Sequence, residues 1–264
     1  MTAPTPRVLW RPSEVFIQQS NLYQYLQWLR ERRQLYFEDY ASLWRWSAEQ
    51  PVDFWESIWE YFQIISHTPY REVLSSEAMP HAQWFAGSTL NYAEHIFRSY
   101  SDARPALIFQ SERQAATEIS WATLRQQVAA LSAYLRAQGL RPGDRVAAYL
   151  PNIPEATVAF LATCAVGAVW SSCSPDFGTH SVVDRFQQIA PRVLIAVDGY
   201  QYGGKHFNRL TAIQELCAQL PTVENVLVVP YLDAAPDIAS IPNAVPWATA
   251  IADTTAALRF EALP

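Results

Sequence analysis

Apolar residues recur at helical spacing through the first part of the chain. Leucines stand at i, i+4 and i+7 from Leu22, which predicts an amphipathic helix whose start is capped by Ser20 or Asn21. A second helical pattern begins near Tyr40, and a third begins at Pro51, a residue suited to the first turn of a helix. The pattern predicts a helical layer whose aromatic side chains pack inward.

Further along, short apolar runs alternate with helical patterns. The runs predict strands at Ala106–Phe109, Arg145–Leu150, Ala168–Ser172, Val193–Val197 and Val226–Val229. The helical patterns between them cover Trp121–Gln138, Pro154–Val166, Ser181–Ile189 and Phe207–Leu220. Strands that alternate with helices predict an α/β fold: a partial, doubly wound, mostly parallel sheet with flanking helices, preceded by the helical layer.

Ligands of such sheets bind at the carboxyl ends of the strands. This rule directs attention to three predicted loops, Leu150–Asn152, Ser171–Phe177 and Asp198–Lys205. From Tyr231 onward alanine and proline dominate, and only a weak helix is predicted at Thr249–Leu258. We expect the rest of that segment to be a connector, so that the sheet is unfinished.

Tryptophan and glycine are unevenly distributed. Seven of the ten tryptophans lie at or before Trp84, whereas the first of the eight glycines is Gly87. The composition changes near residue 85, which indicates a boundary in this part of the chain. We assign a helical N-terminal region to residues 1–94 and an α/β region to residues 95–264. Core packing is the simpler interpretation of the tryptophans, and an exposed aromatic recognition surface is the alternative.

Composition excludes several classes of protein. The 264 residues are 50% hydrophobic and carry a net charge of −6, which permits a buried core and gives no basic surface for nucleic acid. The three cysteines fit neither a disulfide framework nor a metal site. The first ten residues lack the apolar segment of a secretory signal, and no apolar run is long enough to span a membrane. We expect a cytoplasmic protein with neither a nucleic-acid nor a membrane partner.

Common catalytic motifs are missing from the sequence. Gly203-Gly204-Lys205-His206 lacks the upstream glycine and the following Ser or Thr of a phosphate-binding P-loop. Cys173 lies in a predicted loop, but no histidine is placed by the sequence to activate it. Taken alone, the residues predict no catalytic residue, no metal ligand and no defined reaction.

Several strings nevertheless resemble one family. Residues 84–85 followed by 90–94 (Leu-Asn-Tyr-Ala-Glu) resemble the start of the large domain of short-chain acyl-CoA synthetases. Residues 142–146 (Pro-Gly-Asp-Arg-Val) and 150–152 (Leu-Pro-Asn) resemble the first core motif of adenylate-forming enzymes. Residues 173–178 (Cys-Ser-Pro-Asp-Phe-Gly) are similar to the branch of that family that activates acetoacetate rather than acetate. N-terminal strings similar to the same branch are Trp10–Ser13, Ser20–Leu22 and Phe37–Tyr40.

The resemblance implies an acetoacetate–CoA ligase that uses ATP, CoA and Mg²⁺ and releases AMP and diphosphate. In this family the residues that bind the ATP phosphates, and a lysine on a mobile C-terminal domain, follow the region that is similar here. We therefore expect this chain to lack the ATP and Mg²⁺ sites, to be inactive alone and to need a complementary C-terminal chain as partner. The alternatives are an acetyl- or propionyl-CoA ligase and a non-catalytic interaction module.

One site of the family falls within the chain. By resemblance, Asp198–Lys205 aligns with the loop that binds the phosphates of the CoA nucleotide, which makes Tyr202, Gly203, Gly204 and Lys205 the candidate binding residues. Two glycines allow the backbone to approach a phosphate closely, and Lys205 supplies a positive charge. The helix predicted just after the loop would add its N-terminal dipole. The alternative is a plain turn before a helix.

Overall fold

The computed structural model describes residues 8–76 and 78–264. The expectation that the chain begins without a secretory signal concerns mostly residues 1–7, which lie outside the described residues. The backbone divides into two compact units, described separately below. The N-terminal unit runs up to Ile64 and includes Pro69–Ser88, and the α/β unit comprises Ile65–Thr68 together with Thr89–Pro264.

The N-terminal unit is helical, as predicted. Its elements are α1 (Glu14–Gln18), α2 (Asn21–Arg33), α3 (Tyr40–Glu49), α4 (Pro51–Tyr61) and the antiparallel pair β1 (Glu72–Leu74) and β2 (Trp84–Ala86). Ser20 caps α2, because its Oγ accepts a hydrogen bond from the backbone N–H of Tyr23 at 3.1 Å. The β1–β2 pair was not predicted, since each strand is only three residues long and gives too short a pattern.

A small core holds these helices together. Tyr25, Leu29 and Leu43 are buried, with Trp28 and Trp46 packed against them. The prediction that tryptophans serve as core residues is therefore right for these two. It is wrong for Trp44, which is 59% exposed.

The α/β unit follows the alternating pattern of the sequence. Its helices are α5 (Tyr92–Phe97), α6 (Trp121–Ala137), α7 (Pro154–Val166), α8 (Thr179–Phe186), α9 (Leu210–Gln219) and α10 (Trp247–Ala250). Its strands are β3 (Leu107–Phe109), β4 (Thr117–Ile119), β5 (Arg145–Tyr149), β6 (Val169–Cys173), β7 (Val193–Val197), β8 (Gly199–Tyr202), β9 (Lys205–Asn208), β10 (Asn225–Val229) and β11 (Ala244–Pro246).

Five strands form one parallel sheet in the order β11-β10-β7-β5-β6. Alternate residues of the central strands face opposite sides. Val146 and Ala148 lie in the core shared with α6 and α7, whereas Ala147 and Tyr149 lie in the core shared with α8 and α9. Helices thus cover both faces, which confirms the doubly wound α/β fold.

Two predicted elements are placed differently by the structure. Ala106–Phe109 was expected in the parallel sheet, but β3 instead pairs antiparallel with β4 in a separate hairpin. Phe207 was expected to begin a helix, but it lies in β9, which pairs with β8, and α9 begins only at Leu210. The apolar run of β3 identified a strand but not its partner, because periodicity does not report which strands pair. The polar residues of β8 and β9 gave no strand signal, so Phe207 was joined to the helix that follows.

The C-terminal segment is packed rather than a simple connector. It contributes the edge strand β11, and the weak helix predicted at Thr249–Leu258 is replaced by the single turn of α10 just before it. Near its end, the Glu261 N–H donates to the Ala165 carbonyl at 2.9 Å, and Leu263 pairs with Leu90. The expectation of an unpacked tail is therefore wrong.

Candidate functional site

A cleft of about 510 Å³ opens at the carboxyl ends of the parallel strands. It lies where the winding changes direction: the chain passes from β5 to β6 on one side and then crosses to β7 on the other. The cleft is lined by the loop after β5, Ser174–Asp176 after β6, Tyr200–Tyr202 after β7, and Tyr231 after β10. The structure thus brings together the three predicted loops and adds Tyr231, which the sequence analysis missed.

The loop after β6 is anchored from two sides. The Tyr149 hydroxyl lies 2.8 Å from the carbonyl oxygens of both Pro175 and Phe177. Burial raises the pKa of Tyr149, so this hydroxyl keeps its proton. The Arg209 side chain donates to the Pro175 carbonyl at 2.6 Å and to the Tyr200 hydroxyl at 3.1 Å. This wall of the cleft is therefore preorganised.

The loop after β10 is held by one buried carboxylate. Asp198, at the end of β7, is only 2% exposed. It accepts hydrogen bonds from the backbone N–H groups of Tyr231 at 2.7 Å, Leu232 at 2.9 Å and Asp233 at 2.7 Å. Asp198 is the first residue of one of the three predicted loops. In the structure its carboxylate positions the loop after β10.

The four candidate binding residues form one tight turn. Tyr202 pairs with Lys205, which leaves Gly203 and Gly204 as the two-residue connection between β8 and β9. Both glycines have positive φ, 58° and 74°, a backbone conformation that other residues rarely adopt. Apart from the glycines themselves and their neighbours in sequence, no atom of the described residues lies within 4 Å of the positions that their Cβ atoms would take, so this side of the turn is open.

The helix-dipole argument for this turn is wrong. Because α9 begins at Leu210, strand β9 and Arg209 separate the helix from Lys205. A helix dipole acts within about one turn of the helix end, so it does not reach the glycines. Any anion held here must rely on the backbone N–H groups of Gly203 and Gly204 and on the Lys205 ammonium.

A carboxylate from another hairpin already contacts this turn. The N–H groups of Gly203 and Gly204 donate to Glu112 Oε1 at 2.9 Å and Oε2 at 2.8 Å. These two hydrogen bonds lower the pKa of Glu112. Glu112 stands in the turn between β3 and β4, 91 residues from Gly203 in sequence, and no local pattern predicted the contact.

Cys173 and Cys164 are not activated as nucleophiles. Burial raises the pKa of the Cys173 thiol, and it raises that of Cys164 to about 11. Both thiols are therefore protonated at neutral pH, which makes them poor nucleophiles. Across residues 8–76 and 78–264, no group of three or more His, Cys, Asp or Glu side chains is arranged to hold a metal ion.

Comparison with known proteins identifies the class. The profile of the AMP-binding enzyme family matches residues 94–256, which is 163 of the 264 residues. The profile of the acetyl-coenzyme A synthetase N-terminus matches residues 40–96. The chain therefore belongs to the AMP-binding enzyme family, as the strings around residues 90, 142 and 150 indicated.

Individual curated relatives and one solved structure show which members of this family the chain is similar to. The chain is 37% identical to acetoacetyl-coenzyme A synthetase of Rhizobium meliloti over 265 residues, covering 98% of this chain and 40% of the relative. It is 39% identical to acetoacetyl-CoA synthetase of Mus musculus over 235 residues, covering 86% of this chain and 35% of the relative. The solved structure of acetoacetyl-CoA synthetase from Streptomyces lividans superposes with a TM-score of 0.92 at 46% identity, covering 98% of this chain and 40% of that one. The chain thus spans about two-fifths of the length of these relatives.

Membrane insertion was also tested on the structure. Within the described ranges, no helix combines the length and the apolar character needed to cross a membrane.

Proposed function

We propose that this chain acts in an acid–thiol ligase that joins acetoacetate to CoA at the expense of ATP. A carboxylate is a poor acyl electrophile, because its carbon is resonance-stabilised and its leaving group would be oxide. Attack of the carboxylate oxygen on the α-phosphorus of ATP forms an acyl-adenylate and releases diphosphate, and the CoA thiolate then displaces AMP. Mg²⁺ belongs to the same proposal, because phosphoryl charge needs a cation. The similarity to acetoacetyl-CoA synthetases supports this reaction.

Two structural regions enter the proposal. Residues 1–94 would form the N-terminal region of such a ligase, and residues 95–264 would form the first part of its AMP-binding domain. The two family profiles meet at residues 94–96, and the compact units divide between Ser88 and Thr89. Both observations support a boundary in this part of the chain.

Within this reaction we propose that Tyr202, Gly203, Gly204 and Lys205 bind the phosphates of CoA. The observation that carries the proposal is the geometry of the turn, whose two consecutive N–H groups converge on one acceptor group. Lys205 is the only lysine in the sequence and stands directly beside them. The exposed ring of Tyr202 and the ring of Tyr231 offer flat surfaces for a nucleobase at the cleft.

Calorimetric titration with CoA tests this assignment. We expect Lys205→Glu to weaken CoA binding by roughly tenfold or more, because it replaces a cation beside phosphate with an anion. Arg104→Glu is the matched control, since it makes the same charge change at an exposed site outside the cleft. Reaction of Lys205 with an amine-selective reagent gives a second readout, and bound CoA should protect it. Because Lys205 is the sole lysine, peptide mapping has to separate it only from the N-terminal amine. Equal binding by the two variants would contradict the site.

A chimaera tests the substrate. In it, this chain replaces the matching residues of the Streptomyces lividans enzyme. We expect acetoacetate, rather than acetate or propionate, to support exchange of labelled diphosphate into ATP. Lys205→Glu in the chimaera should raise the apparent KM for CoA far more than that for ATP. A preference for acetate or propionate would instead favour the alternative ligases.

We further propose that synthesis requires a complementary polypeptide that supplies the part of the relatives not matched here. The diphosphate exchange assay on this chain alone, and on a mixture with that part of the Streptomyces lividans enzyme, tests the requirement. Exchange by the chain alone would overturn it. A folded chain that neither binds CoA nor supports exchange in the chimaera would favour an interaction module.

We propose a cytoplasmic location for this ligase. The cysteines Cys164, Cys173 and Cys217 form no disulfide, which is typical of a reducing compartment. Fractionation of cells that express a tagged chain tests the location, and recovery with the membranes or the medium would contradict it.

A further inference from the structure

The Gly203–Gly204 turn already holds an anion that belongs to the protein itself. Each N–H donates to a different oxygen of the Glu112 carboxylate, at 2.9 Å and 2.8 Å. Consecutive N–H groups in such a turn form a concave site for an anion. In the Glu112 carboxylate, two oxygens bonded to one carbon each accept one N–H. A phosphate group would present the same arrangement to this turn, with two oxygens bonded to one phosphorus.

A phosphate and Glu112 cannot occupy the turn together. Both need the same two N–H groups, and two anions at this separation repel each other. The hydrogen bonds from Gly204 and Gly203 lower the pKa of Glu112, so the carboxylate is charged at neutral pH and competes as an anion. Gln201 also donates to this carboxylate, while Lys205 stands next to Gly204 in the turn.

The segment that carries Glu112 also contacts the loop after β10. Residues 110–116 connect β3 to β4 and form neither helix nor strand. The next residue, Arg113, donates to the Leu232 carbonyl at 3.2 Å, and its guanidinium lies 5.6 Å from the centre of the Tyr231 ring. The segment thus contacts both the Gly203–Gly204 turn and the loop that carries Tyr231 and Leu232.

We propose that Glu112 is an internal competitor for the anion site, and that a phosphate-bearing ligand binds Gly203–Gly204 only after this carboxylate has left. Glu112 then sets the affinity of the site, because the observed dissociation constant is the intrinsic one divided by the fraction of molecules in which the turn is free. Competition applies to any phosphate group, and only the naming of CoA as the natural ligand rests on the proposed function.

Titration with inorganic phosphate tests the competition directly. The amide signals of Gly203 and Gly204 are followed by NMR in the whole chain. We expect Glu112→Gln to reach half-saturation at a phosphate concentration about 3- to 10-fold lower than the wild type, because the neutral amide competes less well. Glu118→Gln is the matched control: it removes the same charge from an exposed residue of β4, and its midpoint should equal that of the wild type.

Two results would overturn the proposal. An unchanged midpoint in Glu112→Gln would show that the carboxylate does not compete. A weaker phosphate response would show that Glu112 supports the turn instead of blocking it. Glu112→Ala, which removes the acceptor completely, gives an independent measurement should the glutamine variant prove misfolded.

Titration with CoA separates this inference from the proposed function. If CoA shifts the Gly203 and Gly204 signals and Glu112→Gln tightens its binding, both proposals stand. If phosphate binds more tightly to Glu112→Gln but CoA leaves these signals unchanged, the competition stands and the proposed function fails. If CoA shifts these signals equally well in both proteins, the CoA site stands and the competition fails.

Discussion

The hydroxyl of Tyr149 at the end of β5 donates a hydrogen bond to the carbonyl oxygen of Pro175, 2.8 Å away in the loop after the neighbouring strand. The same hydroxyl lies 2.8 Å from the carbonyl oxygen of Phe177. One buried side chain therefore fixes the shape of a loop that has no regular secondary structure. The loop in turn forms one wall of the cleft.

Tyr149→Phe should loosen this loop and destabilise the α/β unit by about 1–2 kcal/mol, because the Phe177 carbonyl loses its bond to this hydroxyl and the Pro175 carbonyl keeps only Arg209. Urea unfolding measures the loss, and amide hydrogen exchange of residues 176–178 shows where it arises. Tyr100→Phe is the control, since its hydroxyl meets only the exposed Asp102. Equal effects of the two substitutions would show that the Tyr149 hydroxyl does not anchor the loop.

Asp198→Asn should be more damaging. The carboxylate accepts hydrogen bonds from three backbone N–H groups, whereas an amide must turn a donor toward some of them. We expect a loss of about 2–4 kcal/mol in the free energy of unfolding, measured by urea denaturation. Asp237→Asn, at an exposed aspartate that accepts one backbone N–H, should change it by less than about 0.5 kcal/mol. A mild effect at Asp198 would mean that the loop after β10 is held by other contacts.

A buried pair in the N-terminal unit should show strong coupling. Ser57 Oγ donates to the Phe54 carbonyl at 2.6 Å, so the Tyr25 hydroxyl, 2.5 Å away, must donate to Ser57. Ser57→Ala leaves that hydroxyl buried without an acceptor and should cost about 1–3 kcal/mol. Adding Tyr25→Phe removes the unsatisfied group, so the double variant should be more stable than the sum of the two single effects predicts.

The matched control for this pair is Ser47→Ala. Ser47 makes the same kind of bond, to the carbonyl of Trp44 at 2.7 Å, but on an exposed face of α3. Its loss should be small. Additive effects of the Tyr25 and Ser57 substitutions in thermal unfolding would refute the coupling.

The contribution of Arg192 to stability should depend on pH. Its guanidinium bonds to Asp144 at 2.7 Å and also to Glu224. The hydrogen bond from Arg192 lowers the pKa of Glu224; burial tends to raise the pKa of Asp144, but the Arg141 N–H and Arg192 lower it overall. Carboxylates with a lowered folded pKa stabilise the fold above about pH 4 and lose that contribution as the pH falls through the folded pKa.

Urea midpoints of the wild type and Arg192→Gln should therefore differ at pH 6 and converge toward pH 3. Arg104→Gln, an exposed arginine, should match the wild type at both pH values. A difference between wild type and Arg192→Gln that stays constant across this range would show that the two carboxylates do not depend on Arg192.

The buried parallel strands and the long helices could be predicted from local pattern. Strand Val193–Val197 has its predicted bounds, because a strand covered on both faces is a continuous apolar run. Helix Pro154–Val166 also has its predicted bounds, since proline suits its first turn and Gly167, at φ 80°, ends it. In these segments, the burial and the backbone conformation follow from the residues of the segment itself.

The features that the sequence did not predict are of two kinds. Some are contacts between residues distant in sequence, and others are short strands that pair at an exposed surface. Gly203-Gly204 is a strong hairpin signal, but the polar residues Gln201 and His206 beside it hid the strands. Tyr231 lies at the cleft and Glu112 lies against the Gly203–Gly204 turn through contacts with segments far away along the chain. The periodicity of apolar residues carries no information about such contacts. The position of the cleft could therefore be predicted from the sequence, but the residues that distant segments contribute could not.

The side chain of Asn91 has a consequence for how the protein is made. Its amide donates to the Cys164 carbonyl and to the Glu261 carbonyl, both at 2.8 Å, and Glu261 is 170 residues further along. On the ribosome, α5 and α7 emerge well before residue 261 does. Until that residue leaves the exit tunnel, the Asn91 amide must use water as its second acceptor. The nascent α/β unit can therefore assemble its sheet first, and the hydrogen bond from Asn91 to Glu261 forms only at a late stage of translation.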